Sequence, residues 1–417
     1  MNNKERDEKF LKSWLKKKIS ITTSTVVGFL ITGAVGGGAA YGAGNRAGTG
    51  GNNNSVAWGQ GSSVDNDSVA VGANARAVSA SAGIPAVTSK GVAIGNNAKA
   101  EGSISIGELS SSNHFGVAIG YNAGAQNTTT GSSFANVTIG ANTRVGVQGG
   151  TQAAQGIAIG SGIQAHEGAW AKGDQSIAIG ANTESTGDSS IAIGGDDLKS
   201  VSNKTSSYSD ARFDKNGNKI GGNSNNTASV NNIFSRLTGR GAILNGGIGT
   251  DGTNYSQWRN TQSGQGGVAL GVKSISGDIA LAIGTFSEAT GTNSVAIGTG
   301  AQTPQSGAVA IGGGSTTNGL QGRQITDADI TLTDGTTMAL TNFAGASGVL
   351  EGSMVSFGKA GNERQLKHIA PGEVTATSTD GINGSQLFAV AKKLGDDISK
   401  FKYVSIKSND AGNKLND

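Results

Sequence analysis

Three histidines, His114, His166 and His368, stand in a chain of 417 residues that has no cysteine. Metal, nucleophilic or acid–base chemistry needs such groups converging on one point. These three are far apart in sequence, and none belongs to an HExxH pattern. The neighbours Asp196 and Asp197 read as solvated turn residues rather than a catalytic pair. Asp214, Asn216 and Asn218 have the spacing that opens a calcium loop, but Lys219 stands where that loop needs glycine and no Glu closes it. Residues 212–220, "RFDKNGNKI", therefore read first as a hairpin turning at Asn216-Gly217, and only second as an ion site. "GIGTDG" (247–252) has dinucleotide-loop spacing but lies in a Gly-rich loop, not between a strand and a helix. No cofactor or metal is called for.

What remains is a polar surface repeated many times, and the question becomes which elements carry it. Gly accounts for 70 residues, Pro for 3 and aromatics for 5%. Large side chains are too scarce for an ordinary core, and collagen's strict G-X-Y spacing is absent. Residues 1–18 hold seven cations and three carboxylates, a net of four positive charges in a chain that totals +3. The rest is thus one charge on the negative side of neutral and has no dense basic patch for nucleic acid. A basic stretch ending at Lys18, an apolar run over 26–35 and small residues over 36–40 read as an extended signal peptide, residues 1–42, cleaved after Ala40 or Gly42. A permanent anchor is the rival, although the apolar run falls short of the ~20 residues a span needs. An exported chain without Cys must gain rigidity from repetition or association.

The repetition is explicit. Thirteen pentapeptides of the type SVAIG close on Gly59, Gly72, Gly95, Gly107, Gly120, Gly140, Gly160, Gly180, Gly194, Gly271, Gly284, Gly298 and Gly312. The steps between them are 13, 23, 12, 13, 20, 20, 20, 14, 77, 13, 14 and 14 residues, a unit of 13–14 that sometimes carries an insertion. Such a period argues for a solenoid and against disorder. Small residues three and five places after the closing Gly, as at Ala75 and Ala77 or Ala98 and Ala100, mark a second strand in the unit. Stacked parallel strands ~4.8 Å apart would make thirteen units a rod of ~60 Å. In the copy "NSVAIG" (293–298), Val295 and Ile297 are expected inside the coil, facing the small residues opposite, with Gly298 at the corner. Asn293, Ser294 and Ala296 are then what a ligand could touch. The insertions at 78–90, 126–135, 145–155, 165–175 and 199–265 are equal candidates for contact. Within the longest, Ile233, Phe234, Leu237 and Trp258 are candidates for a small core or for docking on the rod.

After residue 315 the repeat fades. Residues 325–340 read as strands turning at Asp334-Gly335. Leu387, Val390, Leu394, Ile398 and Phe401 form a helical stripe, either a coiled-coil start or one amphipathic helix. Here the sequence resembles the YadA-like trimeric autotransporter adhesins. The SVAIG repeats are similar to their head repeats, and "ERQLKHIAPG" (363–372) and "STDGINGSQL" (378–387) to their neck motif. The long basic leader is similar to their signal peptide.

The resemblance implies an all-β fold, a left-handed parallel β-roll head in a homotrimer. A neck that exchanges segments between chains and a coiled-coil stalk follow. It implies neck roles for Gln365, Leu366, Asp380, Asn383, Gln386 and Leu387. The expected organisation is signal 1–42, head 43–198, polar insertion 199–264, head 265–315, β-rich connector 316–354, neck 355–388, stalk start 389–401 and a further stalk or connector module from 402 to 417. The β-barrel anchor of such proteins is not in this sequence, so the chain reads as the N-terminal part of a longer protein. The expected function is non-catalytic attachment at the bacterial outer-membrane surface. Partners would be other copies of the chain and a host matrix protein such as collagen or fibronectin, or a host cell, with no nucleic acid. The alternatives are a β-solenoid lyase or hydrolase acting on polysaccharide, and an ice- or surface-binding solenoid.

Overall fold

The computed structural model describes residues 55–401, apart from 66, 82–87, 126–134 and 147–153. The expected signal peptide, parts of three head loops and residues 402–417 lie outside the described residues. Two long parallel sheets dominate, one of 14 strands and one of 11. Each of the thirteen pentapeptides supplies one strand of the longer sheet, from Val56–Trp58 to Val309–Ile311. The fourteenth, Val355–Ser356, comes from the start of the neck-like segment and pairs with Val309–Ile311. The second sheet is built from the strands that follow the first eleven closing glycines, among them Arg76–Val78, Thr183–Ser185 and Thr261–Ser263, and isolated bridges at Gln302 and Thr316 continue it. The chain therefore rolls: one strand in each sheet, then up to the next coil.

The stack is in register. Ala282, Ala296 and Ala310 lie over one another, as do Val295 on Val309 and Ile297 on Ile311. The closing glycines are needed at the corner for two reasons. Gly298 has φ 131°, and a Cβ there would come 2.5 Å from the Gly312 carbonyl carbon of the next coil. Two residues later the chain passes through the left-handed region again, most often at Asn, as in Asn74, Asn97 and Asn142. These corner asparagines form ladders, with Asn122 Nδ2 donating to Asn142 Oδ1 at 2.8 Å.

The interior reverses the expected orientation of the first strand. Ala296 and Ser294 are fully buried, while Val295 and Ile297 are only half-buried on the outer face. The same holds along the rod: Ala70, Ala93, Ala178 and Ala192 are 0% exposed. The small residues of the second strand do point inward as expected, so the core is mostly Ala, Ser and Thr on both sides, with Val64 and Val145 the larger members. The corner explains why. Only Thr299 and Gly300 separate Gly298 from Ala301, three Cα steps of ~3.8 Å bent through a left-handed residue at φ 66°. The Ala301 N–H donates to the Gly298 carbonyl at 3.1 Å and folds this link into a turn, too short to span the ~10 Å between sheets packed through large side chains. Small side chains fit, and their hydroxyls are satisfied locally. Ser62, Ser110, Ser274 and Ser287 each donate to the carbonyl of the closing glycine three residues back, at 2.8–2.9 Å.

Between the strands Ile191–Ile193 and Thr261–Ser263 the chain leaves the roll. It forms helix α1 (Lys199–Ser202), three two-stranded antiparallel pairs and helix α2 (Val230–Thr238). Ser229 caps α2 by accepting from the Asn232 N–H, and Gly239 ends it at φ 69°. After the last coil comes the hairpin Asp327–Thr331 with Thr337–Thr341, turning at Asp334-Gly335. Helix α3 (Gly384–Phe401) carries the expected stripe, with Leu387, Val390, Leu394 and Ile398 all exposed.

Candidate interaction faces

The outward Val/Ile positions make the first face. Along the longer sheet, pairs such as Val92/Ile94, Val117/Ile119, Ile177/Ile179 and Val295/Ile297 stack strand on strand. Ile94, Ile193 and Ile311 are 38–39% exposed, and Val56 and Trp58 at one end are 48% and 67% exposed. Fourteen strands at ~4.8 Å make this a flat apolar strip ~60 Å long, well beyond the patches a soluble monomer leaves uncovered. Ser294 and Ala296 are inside the coil and cannot touch a ligand. Of the three proposed contact residues only Asn293, in a left-handed corner at φ 56°, is exposed.

The second face is the outside of the shorter sheet. Its outward residues are stacked in register and are mostly charged or polar, among them Arg76, Lys99, Arg144, Glu184 and Gln262, with Trp170 and Ile275 in the same row. Trp170 has the Arg144 guanidinium and the Lys172 ammonium each 4.1 Å from its ring centroid, and its indole N–H donates to the Gly146 carbonyl at 2.7 Å. Lys172 pairs with Glu184 at 2.9 Å, and Glu184 also accepts from Asn260 and Gln262. Of the "NSVAIG" residues only Asn293 adds to the polar side chains that this row offers. For Arg76, Lys99, Arg144 and Glu184 the signal was in the sequence, four places after the closing Gly, but only the inside-out orientation gives it meaning, and the insertions displace Trp170 and Gln262 from that spacing.

The polar insertion is clamped to the roll by a core that sequence reading found in part. Phe234 of α2 packs on Phe286 of the roll, ring centroids 5.5 Å apart, and Tyr255 meets Phe286 edge-on at 5.5 Å. Leu198, Ile243 and Leu244 complete the cluster. Leu237 and Trp258, two of the expected docking residues, are instead 53% and 56% exposed. Around the rings, Arg240 and Arg259 both pair with Glu288, the Arg240 contact at 2.9 Å. Burial alone would raise the Glu288 carboxyl, but the two guanidiniums outweigh it and hold it below its ordinary value. Lys273 is fully buried, donates to the Leu244 carbonyl at 2.6 Å, and is pushed down to about 8 by loss of water, with Asp196 opposing. Asp196, expected to be solvated, is 4% exposed and accepts from Asn182 at 2.9 Å. A sequence signal existed here too: Lys273 and Phe286 replace the corner Asn where the insertion docks.

The neck-like residues divide. Gln386 holds both the N–H and the carbonyl of Gly372, Asn383 Nδ2 donates to the Ile369 carbonyl, and Asp380 accepts from the Glu373 N–H. Gln365, Leu366 and Leu387 are exposed. Arg364 ties this segment to the last coil through Ser315 Oγ at 2.8 Å and the Gly313 carbonyl at 2.6 Å. The three histidines fall on separate segments, and among the described residues no group of three or more His, Cys, Asp or Glu could hold a metal. Residues 212–221 form the hairpin, with the Asp214 carboxylate bonded to Asn216 and Asn218 of its own turn.

Three stretches, 90–107, 171–196 and 276–301, match the family described as YadA head domain repeat (2 copies). Each contains at least one complete outward pair of the apolar strip. Among solved structures the chain is similar to the C-terminal YadA-like domain of a Burkholderia pseudomallei protein. The match has 19% identity, covers 50% of this chain and 80% of that one, and has a TM-score of 0.21. So low a score adds no weight, and the assignment rests on the repeats. No match was found among curated proteins. Three stretches of the roll are thus similar to the YadA head domain repeat.

Proposed function

We propose that this chain is the exported head of a bacterial surface adhesin that works as a homotrimer on the outer membrane. In this reading three rolls bury their Val/Ile strips against one another, and the polar rows of the shorter sheets and the loops face outward. Those surfaces attach the cell to a host matrix protein, of collagen or fibronectin type, or to host cells. The observation that carries the reading is the apolar strip on a roll in which three stretches match YadA head repeats. Three parallel copies of a row of weak contacts raise effective concentration, so affinity needs no deep pocket. Binding without catalysis fits the outward carboxylates, since Glu184 and Glu288 are both engaged with cations.

Multi-angle light scattering on residues 41–417 tests the assembly, and a trimer is expected. A monodisperse monomer, with or without a fused stalk, would overturn the reading. An array of matrix proteins, run beside an assay for released soluble sugars, tests the activity. Retention on one or more proteins with no sugar release is the expected result.

A further inference from the structure

One hairpin of the insertion has a surface unlike its surroundings. Arg212–Phe213 pairs with Lys219–Gly221, and Phe213 and Ile220 are 58% and 67% exposed. The cations Arg212, Lys215 and Lys219 are exposed on the same hairpin and form no ion pair among the described residues. The carboxylates nearby are already engaged. Asp214 is wrapped by its own turn, and Asp210 accepts from the Asn223 N–H and Asn226 Nδ2 at 2.7 Å each and from Arg236. The hairpin is also held from behind. Arg236 belongs to α2, whose Phe234 is locked on the roll, so Asp210 links the hairpin base to the rigid rod.

We propose that this hairpin docks on an anionic lipid surface. Phe213 and Ile220 enter the boundary between headgroups and acyl chains, while Arg212, Lys215 and Lys219 lie among the phosphates. The combination favours lipid over a sulfated polysaccharide. A polysaccharide needs the three cations but gains little from two uncovered apolar side chains, whereas a membrane interface uses both. A preorganised tip gives up little conformational freedom on binding. This surface is separate from the polar row of the shorter sheet, and the inference stands whether or not that row binds matrix.

The test is co-sedimentation of residues 41–417, without the basic leader, with vesicles of phosphatidylcholine plus phosphatidylserine, against phosphatidylcholine alone. Binding to the anionic vesicles only, weakened by salt, is expected. The double variant Phe213→Ser, Ile220→Ser should lose about tenfold or more in vesicle binding. Its thermal midpoint should not change, because both side chains are exposed in the folded chain. Its retention on heparin should stay at the parent's level. Equal vesicle binding by parent and double variant, or heparin retention with no vesicle binding, would overturn the proposal.

Discussion

The roll and the segment that follows it use apolar residues in opposite ways. Within the roll, each coil closes over Ala, Ser and Thr from its own chain, and positions such as Ala178, Ala282 and Thr303 are completely buried. From residue 320 onward almost nothing is covered. Both strands of the hairpin at 327–341 are exposed along their whole length, and Leu366, Val374, Ile382, Val390 and Leu394 are all more than half exposed. A two-stranded hairpin and an isolated helix are marginal in water. The roll is thus a structure that one chain completes, while the later segment leaves its apolar side chains uncovered. The Val/Ile strip joins the two regimes: its backbone belongs to the finished roll and its side chains face outward.

Substitutions separate these regimes. The largest effect is expected from Ala296→Asp, which places a charge between Ala282 and Ala310 in a space sized for a methyl group. A loss of several kcal/mol, enough to lower the melting temperature of the whole roll, should appear by circular dichroism. Ile297→Asp, one residue along, should leave the coil's secondary structure in place, because that side chain is already half in water. It should instead abolish association in light scattering. If Ile297→Asp unfolds the roll and Ala296→Asp does not, the assignment of inside and outside is wrong.

Phe286→Ala probes the junction between roll and insertion. Removing the ring that Phe234 and Tyr255 share should cost about 3–5 kcal/mol locally. Limited proteolysis should then cut within 203–258 while the roll's transition persists.

The smallest effects come from pH, read by the same proteolysis. Glu288 is held below its ordinary pKa, so its contribution is complete above the usual carboxylate range and is lost as the pH falls through the depressed value. Lys273 has the opposite sense. Its folded-state pKa is about 8 against 10.5, so the unfolded chain binds more protons between those values, and docking should tighten as the pH rises through that window. Lys273→Met should remove the alkaline trend and leave the acid one.

Much of this was legible in the sequence because it depends on local periodicity. The closing glycines, the thirteen strands of the longer sheet, the second strand of most coils and the turns at Asn216-Gly217 and Asp334-Gly335 all follow from spacing and turn chemistry. The docking of the insertion was not legible, because Phe286 and Glu288 meet Phe234, Arg240 and Arg259 only when the stack brings distant residues together.

The same limit governs the coil itself. Alternation told that Val295 and Ile297 share one face and Ser294 and Ala296 the other, but a period of two is symmetric between faces. Only the tertiary structure chose between them, through the length of the corner. Two residues at Thr299-Gly300 hold the sheets too close for a core of large side chains. Alanine therefore fills the coil, and valine and isoleucine are left to the surface.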